Sequence, residues 1–285
     1  MNNNFLLLDG RIAASKITEQ LKSQVAKWQK KPYFAIIQVG DIFASNKYIA
    51  NKVKKAQEIG IESEVIRFSE TISEKDLILE IKKISQRVDS MIVQLPLPDH
   101  IDKQNALNAV PADKDADGLS KINYELFYSN KKAVTPATPK GIMLLLEHYN
   151  IEIINKKAYV IGESNLVGKP TKELLSKKGA FTKSFNIDTG IAGSEEADIL
   201  IVAAGVSGLV KAENIKQNAI IVDVGINSLG NNKITGDVDF ESVQNKVSAI
   251  SPVPGGVGPM TVIALMTNIV ELFEEKAKNK VLVEK

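Results

Sequence analysis

The chain has no cysteine, two histidines and one tryptophan in 285 residues. Without cysteine there are no disulfides, no cysteine nucleophiles and no thiolate metal sites. With His100 and His148 as the sole imidazoles, a histidine-rich metal site is excluded too. An excess of one charge sign is also missing. The formal net charge is +2, which points to neither a nucleic-acid partner nor a membrane surface. No apolar run approaches the ~20 residues of a membrane span. The opening stretch lacks a basic segment and reaches Asp9 early, so no signal peptide is expected and the cytoplasm is the expected location. What is present is 44% hydrophobic and 25% charged residues, the composition of a soluble globular protein of one large or two ordinary domains.

Apolar runs alternate with helical stripes through the first half. Residues 11–30 carry Ile17, Leu21, Val25 and Trp28 at helical spacing, and Pro32 ends that helix. Tyr33–Val39 reads as a buried strand, and Gly40-Asp41 turns it into a helix that ends at Gly60. Glu64–Phe68 is the next strand, residues 73–87 the next helix, and Ser90–Gln94 a third strand stopped by Leu95-Pro96-Leu97-Pro98. Such alternation predicts a parallel sheet covered by helices.

Ligands in these sheets collect at the carboxyl ends of the strands. The segment Ser45-Asn-Lys-Tyr48-Ile-Ala-Asn-Lys52 follows one such end, with Ser45 placed to cap a helix. Tyr48 and Lys52, four apart, share a helix face. The phenol ring can stack on a flat substrate, and the amine can move protons where its surroundings favour the neutral form. Alone, with Lys47, Lys54 and Lys55 close by, the segment also reads as a solvated helix face. Gln94, at another strand end, offers the amine a neutral amide partner. Asp117, in Lys114-Asp-Ala-Asp117-Gly118, is either a plain turn residue or a carboxylate facing the N–H groups of a heterocycle.

Residues 119–136 are poorly periodic and mark a boundary. Thr138 and Pro139 are expected as cap and first residue of the next helix. A second alternating block follows. Strand Ala158–Ile161 leads into Gly162-Glu163-Ser164-Asn-Leu-Val167-Gly168 and a helix, a unit that suits a phosphate at the helix N-terminus. Asp188 lies 20 residues beyond Gly168, where NAD enzymes carry an acid for the ribose 2′-hydroxyl. Further strands are read at Ala180–Phe185, Ile199–Ala203 and Ala219–Val224. The loop Ser251–Thr261 is too rich in glycine and proline to carry side-chain chemistry, and is expected to bring backbone close to a ligand. Its Pro259 starts a last helix that returns to the first domain. The fold expected is two α/β domains: residues 1–137, completed by helix 259–285, and a Rossmann-like dinucleotide domain over 138–258.

Eight motifs in one order resemble the bifunctional methylenetetrahydrofolate dehydrogenase/methenyltetrahydrofolate cyclohydrolase family across residues 9 to about 273. They are the Ser45/Tyr48/Lys52 segment, Val93–Pro98, Lys114–Gly118, Thr138–Gly141, Gly162–Pro170, Asp223-Val-Gly225-Ile226-Asn227, Gly236-Asp237-Val238 and Pro252–Thr261. The resemblance implies a cleft between the domains and two reactions: hydride transfer from 5,10-methylenetetrahydrofolate to NAD(P), then hydrolysis of the methenyl product to 10-formyltetrahydrofolate. It implies Lys52 as general acid/base, Tyr48 as the residue that positions folate, Gln94 as the residue that tunes Lys52, and Asp117 on the pterin. Leu95, Pro254, Gly255 and Gly256 join the substrate site by resemblance. Gly162, Glu163, Ser164, Val167, Gly168, Ile187, Asp188 and Ile226 form the cofactor site. A homodimer through the cofactor domain is implied, and no metal is required.

The departures bear on specificity. Many relatives place Arg at the position of Glu163 and Ser at that of Ile187, where they meet the 2′-phosphate of NADP. An acid repels that phosphate and accepts a bond from a hydroxyl, so NAD is expected at least as well as NADP, the family default. The sequence around Asn123 also differs from the family pattern, so an altered substrate rim is expected. Three rivals compete. A short-chain dehydrogenase would carry its glycine turn before the Tyr–Lys pair, not after it. A cyclohydrolase with a degraded cofactor domain is opposed by Gly162, Ser164 and Gly168. A non-catalytic binding module predicts loss of Lys52 or Gln94, and both are present.

Overall fold

The computed structural model describes residues 5–230 and 233–283. In chain order the elements are β1 (Leu6–Leu7), α1 (Gly10–Ala26), β2 (Tyr33–Val39), α2 (Phe43–Ile59), β3 (Glu62–Phe68), α3 (Glu74–Ser85) and β4 (Ser90–Val93). Then come α4 (Lys103–Asn108), α5 (Lys121–Tyr128), α6 (Ala137–His148), β5 (Lys157–Ile161), α7 (Gly168–Lys177) and β6 (Phe181–Phe185). The last are β7 (Ile199–Val202), β8 (Ala219–Asp223), β9 (Asn227–Ser228), β10 (Ile234–Thr235), α8 (Phe240–Val243), β11 (Val247–Ile250) and α9 (Val257–Val283). They form two compact units.

One unit holds Lys16–Ala137 and residues 262–283. Its sheet has the order β3-β2-β4, all parallel, with Val39 opposite Phe68 and Ile37 opposite Val93. The strands are short apolar runs, and β2 is buried along almost its whole length, as a strand covered on both faces must be. Alternate β2 residues Ala35, Ile37 and Val39 pack with Leu77, Ile81 and Ile84 of α3. The apolar part of α9 belongs here, its Phe273 ring 5.0 Å from that of Trp28. One stretch of α9, Val257–Lys278, is long and apolar enough to cross a membrane, but more than half of its residues are buried against the protein.

The other unit holds residues 5–15 and Thr138–Thr261. Its six-stranded sheet runs β1-β11-β8-β7-β5-β6 with every pairing parallel. Ile161 lies opposite both Phe185 and Val202, and Val202 opposite Asp223, so four strands end level. The segments after them therefore share one edge. β1 pairs with β11, so the N-terminal residues sit with this unit although they precede the other in sequence.

Local differences from the sequence reading have simple causes. α1 ends at Ala26, before Pro32, because Lys31 turns its amine onto the carbonyls of Val25 and Trp28. α2 starts at Phe43 with Ile42 as its cap, so Ser45 is not the cap but lies buried within the first turn. α6 starts at Ala137, and the Thr138 hydroxyl accepts a bond from that of Thr261 instead of capping. Residues 119–136 contain α5, capped by Ser120. Its eight residues are too short to show a helical period clearly.

Candidate active site

In the first unit α2 presents Tyr48 and Lys52 one turn apart, with Tyr48 41% exposed and Lys52 8% exposed. A polar chain sets the start of this helix: Arg67 Nε donates to Gln38 Oε1, Gln38 Nε2 to Asn46 Oδ1, and Asn46 Nδ2 to Asp41. Gln94 follows β4 immediately, its N–H extending the ladder onto Ile37 O. Its side-chain Nε2 donates to Leu95 O at 2.8 Å, which leaves Oε1 to accept from Lys52 Nζ at 3.0 Å. The amine is thus oriented by a neutral carbonyl, with no second fixed charge in that contact. Leu95 lines a groove of about 550 Å³ with Pro96, Leu97, Pro98 and Lys103.

Asp117 belongs to the same unit. Burial pushes its carboxyl above the usual range, Lys52 pulls it back, and Asp115 pushes it further up. Its turn is shaped by Asp115, which sequence reading passed over. Asp115 accepts from the N–H groups of Gly118 and Ser120 and from Asn123 Nδ2. Asn123 is itself buried and also donates to Ala112 O, so it supports the turn from below and is not a rim residue. Asn268 of α9 donates to Ala116 O and Thr135 O. A signal for it was present: a polar residue within the apolar stripe of the last helix.

In the second unit, Gly162 and Gly168 are required by close backbone approach. A Cβ on Gly162 would lie 2.1 Å from Ala203 O, and one on Gly168 1.9 Å from Gly162 O. The Ser164 hydroxyl accepts from the N–H groups of Val167 (3.2 Å) and Gly168 (3.4 Å), and Lys169 N donates to Ser164 O. The turn's own oxygens therefore hold the first-turn donors of α7. This modifies the expectation that they point freely at an anion, although a phosphate oxygen is a stronger acceptor than the long hydroxyl contacts. The turn, closed tightly at its two glycines, fits a dinucleotide.

Glu163 projects from this turn toward the end of β6. Ser184 Oγ donates to its Oε1 at 2.6 Å and Asn186 Nδ2 to its Oε2 at 3.0 Å. These two bonds, that of Asn186 foremost, hold its carboxyl below the ordinary range, with Lys172 and Lys169 adding to the effect. Ile187 and Asp188 are exposed in the turn beyond Asn186. Ile226 is 50% exposed just past β8. In the loop after β11, Pro254 is exposed, but the glycines serve an internal contact as well: Gly10 N donates to Gly255 O, and a Cβ on Gly10 would strike Gly256 O.

Two family models match the chain: the tetrahydrofolate dehydrogenase/cyclohydrolase catalytic domain over residues 8–117 and the NAD(P)-binding domain over 136–277. A bifunctional FolD protein of Mycoplasma mobile is 57% identical, covering 95% of this chain and 98% of its own. The chain belongs to the tetrahydrofolate dehydrogenase/cyclohydrolase family. The crystal structure of the bifunctional FolD enzyme from Campylobacter jejuni superposes with a TM-score of 0.92 at 40% identity, over 95% of this chain and 99% of that one. That of the Trypanosoma brucei enzyme, complexed with NADP and an inhibitor, gives 0.91 at 30% identity, over 96% and 98%. As a member of this family the protein is a bifunctional methylenetetrahydrofolate dehydrogenase and methenyltetrahydrofolate cyclohydrolase.

Proposed function

We propose that this family member uses NAD at least as well as NADP, and that Lys52 is the acid/base of its hydrolytic step. The observation that carries the nucleotide choice is the Glu163 carboxylate, exposed and held by Ser184 and Asn186. A fixed carboxylate accepts a bond from a ribose hydroxyl and repels a phosphate in its place. When bound, the nicotinamide accepts hydride from the methylene carbon. The protein's part in that step is orientation. Gly162 and Gly168 let the backbone close on the dinucleotide, and Ile187, Asp188 and Ile226 border it.

For hydrolysis, Lys52 takes a proton from the water that attacks the methenyl carbon and returns one to the departing ring nitrogen. Gln94 aims the amine, Tyr48 stacks on the pterin, and Asp117 receives its N–H edge. Leu95, next to Gln94, extends this substrate surface within the same unit. The cytoplasm and a homodimer through the dinucleotide unit belong to the same reading, and light scattering tests the dimer.

The deciding experiment measures kcat/KM with NAD and with NADP for the wild type and for Glu163→Arg. The expected result is a wild-type NAD/NADP ratio of one or more, falling about tenfold or further in the variant. A wild-type preference for NADP would show that cations such as Lys169 or Lys172 receive the phosphate, and the nucleotide assignment would be abandoned.

A further inference from the structure

Two motifs of the sequence, Asp223-Val-Gly225-Ile-Asn227 and Gly236-Asp237-Val238, have no chemistry assigned above apart from Ile226. The structure interlocks them. Asp223 Oδ1 accepts from Gly225 N at 2.9 Å and Asp237 N at 3.0 Å, and its Oδ2 from Val238 N at 3.0 Å. Asp237 Oδ2 accepts from Ala204 N at 2.7 Å and Gly205 N at 2.8 Å, and its Oδ1 from Asn227 Nδ2 at 2.8 Å. The glycines answer each other in the same way. A Cβ on Gly236 would lie 1.8 Å from Asp223 Oδ2, and one on Gly225 2.2 Å from Asp237 Oδ1. Each carboxylate thus occupies the space left by the other motif's missing side chain.

Asp223 is 4% exposed and Asp237 fully buried. Burying two carboxylates costs several kcal/mol each, so each must be satisfied by donors. The donors here are backbone and amide N–H groups from three segments: 204–205 after β7, 225–227 after β8, and 237–238. Burial is strong enough to push the Asp223 carboxyl up to about 6 despite its three N–H partners. β7 and β8 are neighbours that end level, so both strand-end segments lie on the edge where this sheet type receives its ligand. Ile226 is held between the two anchors, with Gly225 fixed by one carboxylate and Asn227 by the other.

We infer that Asp223 and Asp237 are positioning residues for the dehydrogenase step: they fix the strand-end segments 203–205 and 225–227 and thereby hold Ile226 against the nicotinamide nucleotide. The inference rests on the reading above that Ile226 borders that nucleotide. Neither carboxylate touches substrate. Each acts by holding backbone, and misplacement on the scale of 1 Å at a binding surface costs between about 10- and 100-fold.

The test is Asp237→Asn, which removes the charge and replaces one of the two acceptor oxygens by an NH2 group, together with Asn227→Ala, which removes one donor and leaves the buried acid in place. KM for NAD and NADP is measured beside the rate of methenyl hydrolysis, whose proposed acid/base residue Lys52 and its partner Gln94 lie in the other unit. The expected result is a rise of about tenfold or more in nucleotide KM for Asp237→Asn and a smaller rise for Asn227→Ala, with hydrolysis within about twofold of wild type. Parallel loss of both activities in Asn227→Ala, or unchanged nucleotide KM in it and in any folded Asp237→Asn, overturns the inference. Ile226→Ala separates the two layers. If it raises nucleotide KM while the Asp237 and Asn227 variants do not, the positioning role alone fails; if it changes nothing, the assignment of Ile226 fails and the inference with it.

Discussion

Replacing Gln94 with Glu puts a carboxylate where a neutral carbonyl now accepts from Lys52. The Nζ–Oε1 separation is 3.0 Å. At an effective dielectric of about 20, unit charges at that distance attract by roughly 5.5 kcal/mol. Lys52 is 8% exposed but Gln94 is only half-buried, so solvent screening reduces the effect. Taking about half leaves roughly 2.5–3 kcal/mol, or about 100-fold, by which the variant holds a proton on the amine. A lysine locked in its charged form cannot accept a proton from water. Methenyl hydrolysis, followed as loss of methenyl absorbance, should therefore fall about 100-fold near neutral pH and recover as the pH is raised. Nucleotide reduction by the same preparation should fall less, because hydride transfer depends on orientation. Hydrolysis within about threefold of wild type at neutral pH would show that the charge state of Lys52 does not limit the reaction, and the acid/base assignment would be withdrawn.

Asn268→Leu leaves the carbonyls of Ala116 and Thr135 without donors that now lie at 2.8 and 2.9 Å. At about 1–3 kcal/mol for each of the two unsatisfied buried acceptors, a loss of roughly 2–6 kcal/mol is expected in urea unfolding, with a raised KM for folate because Ala116 adjoins Asp117. An unchanged urea midpoint would contradict the role given to Asn268. Asp89 supplies the pH dependence. Burial pushes its carboxyl up, but the Lys276 ammonium at 2.6 Å, the Tyr33 N–H and Lys30 together hold it below the ordinary range. A carboxyl lowered in the folded state adds stability that is fully present above the unfolded value near 4 and is lost as pH falls through the folded one. Urea midpoints taken from pH 7 down to pH 3 should converge for wild type and Asp89→Asn; parallel curves would rule the ion pair out as their source.

Much of this architecture was legible because it rests on period and punctuation. The runs Tyr33–Val39 and Ala158–Ile161 are largely apolar, bounded and too short for helices, and the second strand begins one residue earlier, at Lys157. The glycines at 162 and 168 mark a tight turn, and the structure supplies the reason in the contacts that a Cβ at either would make with Ala203 O and Gly162 O. Topology alone predicts that Lys52 and Gln94 converge, because both follow strand carboxyl ends, and the bond between them agrees. Shorter elements were not legible. β1 is two residues long and pairs with a strand more than 240 positions later, a contact no local pattern encodes. Helix starts slipped where a hydroxyl that resembled a cap had another partner, as with Thr138.

Acids that are free to meet a ligand and acids that hold the chain look alike in this sequence. Asp115 and Asp117 stand two apart in one motif and look equivalent as letters. The structure separates them by what their oxygens already accept. Asp115 is filled by Gly118, Ser120 and Asn123, whereas the Asp117 carboxylate accepts no hydrogen bond among the described residues and remains available to a substrate. By the same criterion Asp223 and Asp237, each holding three N–H groups, are scaffold. Glu163 stands between these cases. It has accepted one bond on each oxygen, yet a carboxylate offers about four acceptor sites and this one is exposed, so it keeps capacity for a ribose hydroxyl. Its charge still opposes a phosphate, since hydrogen bonds from neutral Ser184 and Asn186 orient a carboxylate without cancelling it. For that reason the nucleotide preference should follow the charge at position 163 more closely than the identity of Ile187 or Asp188.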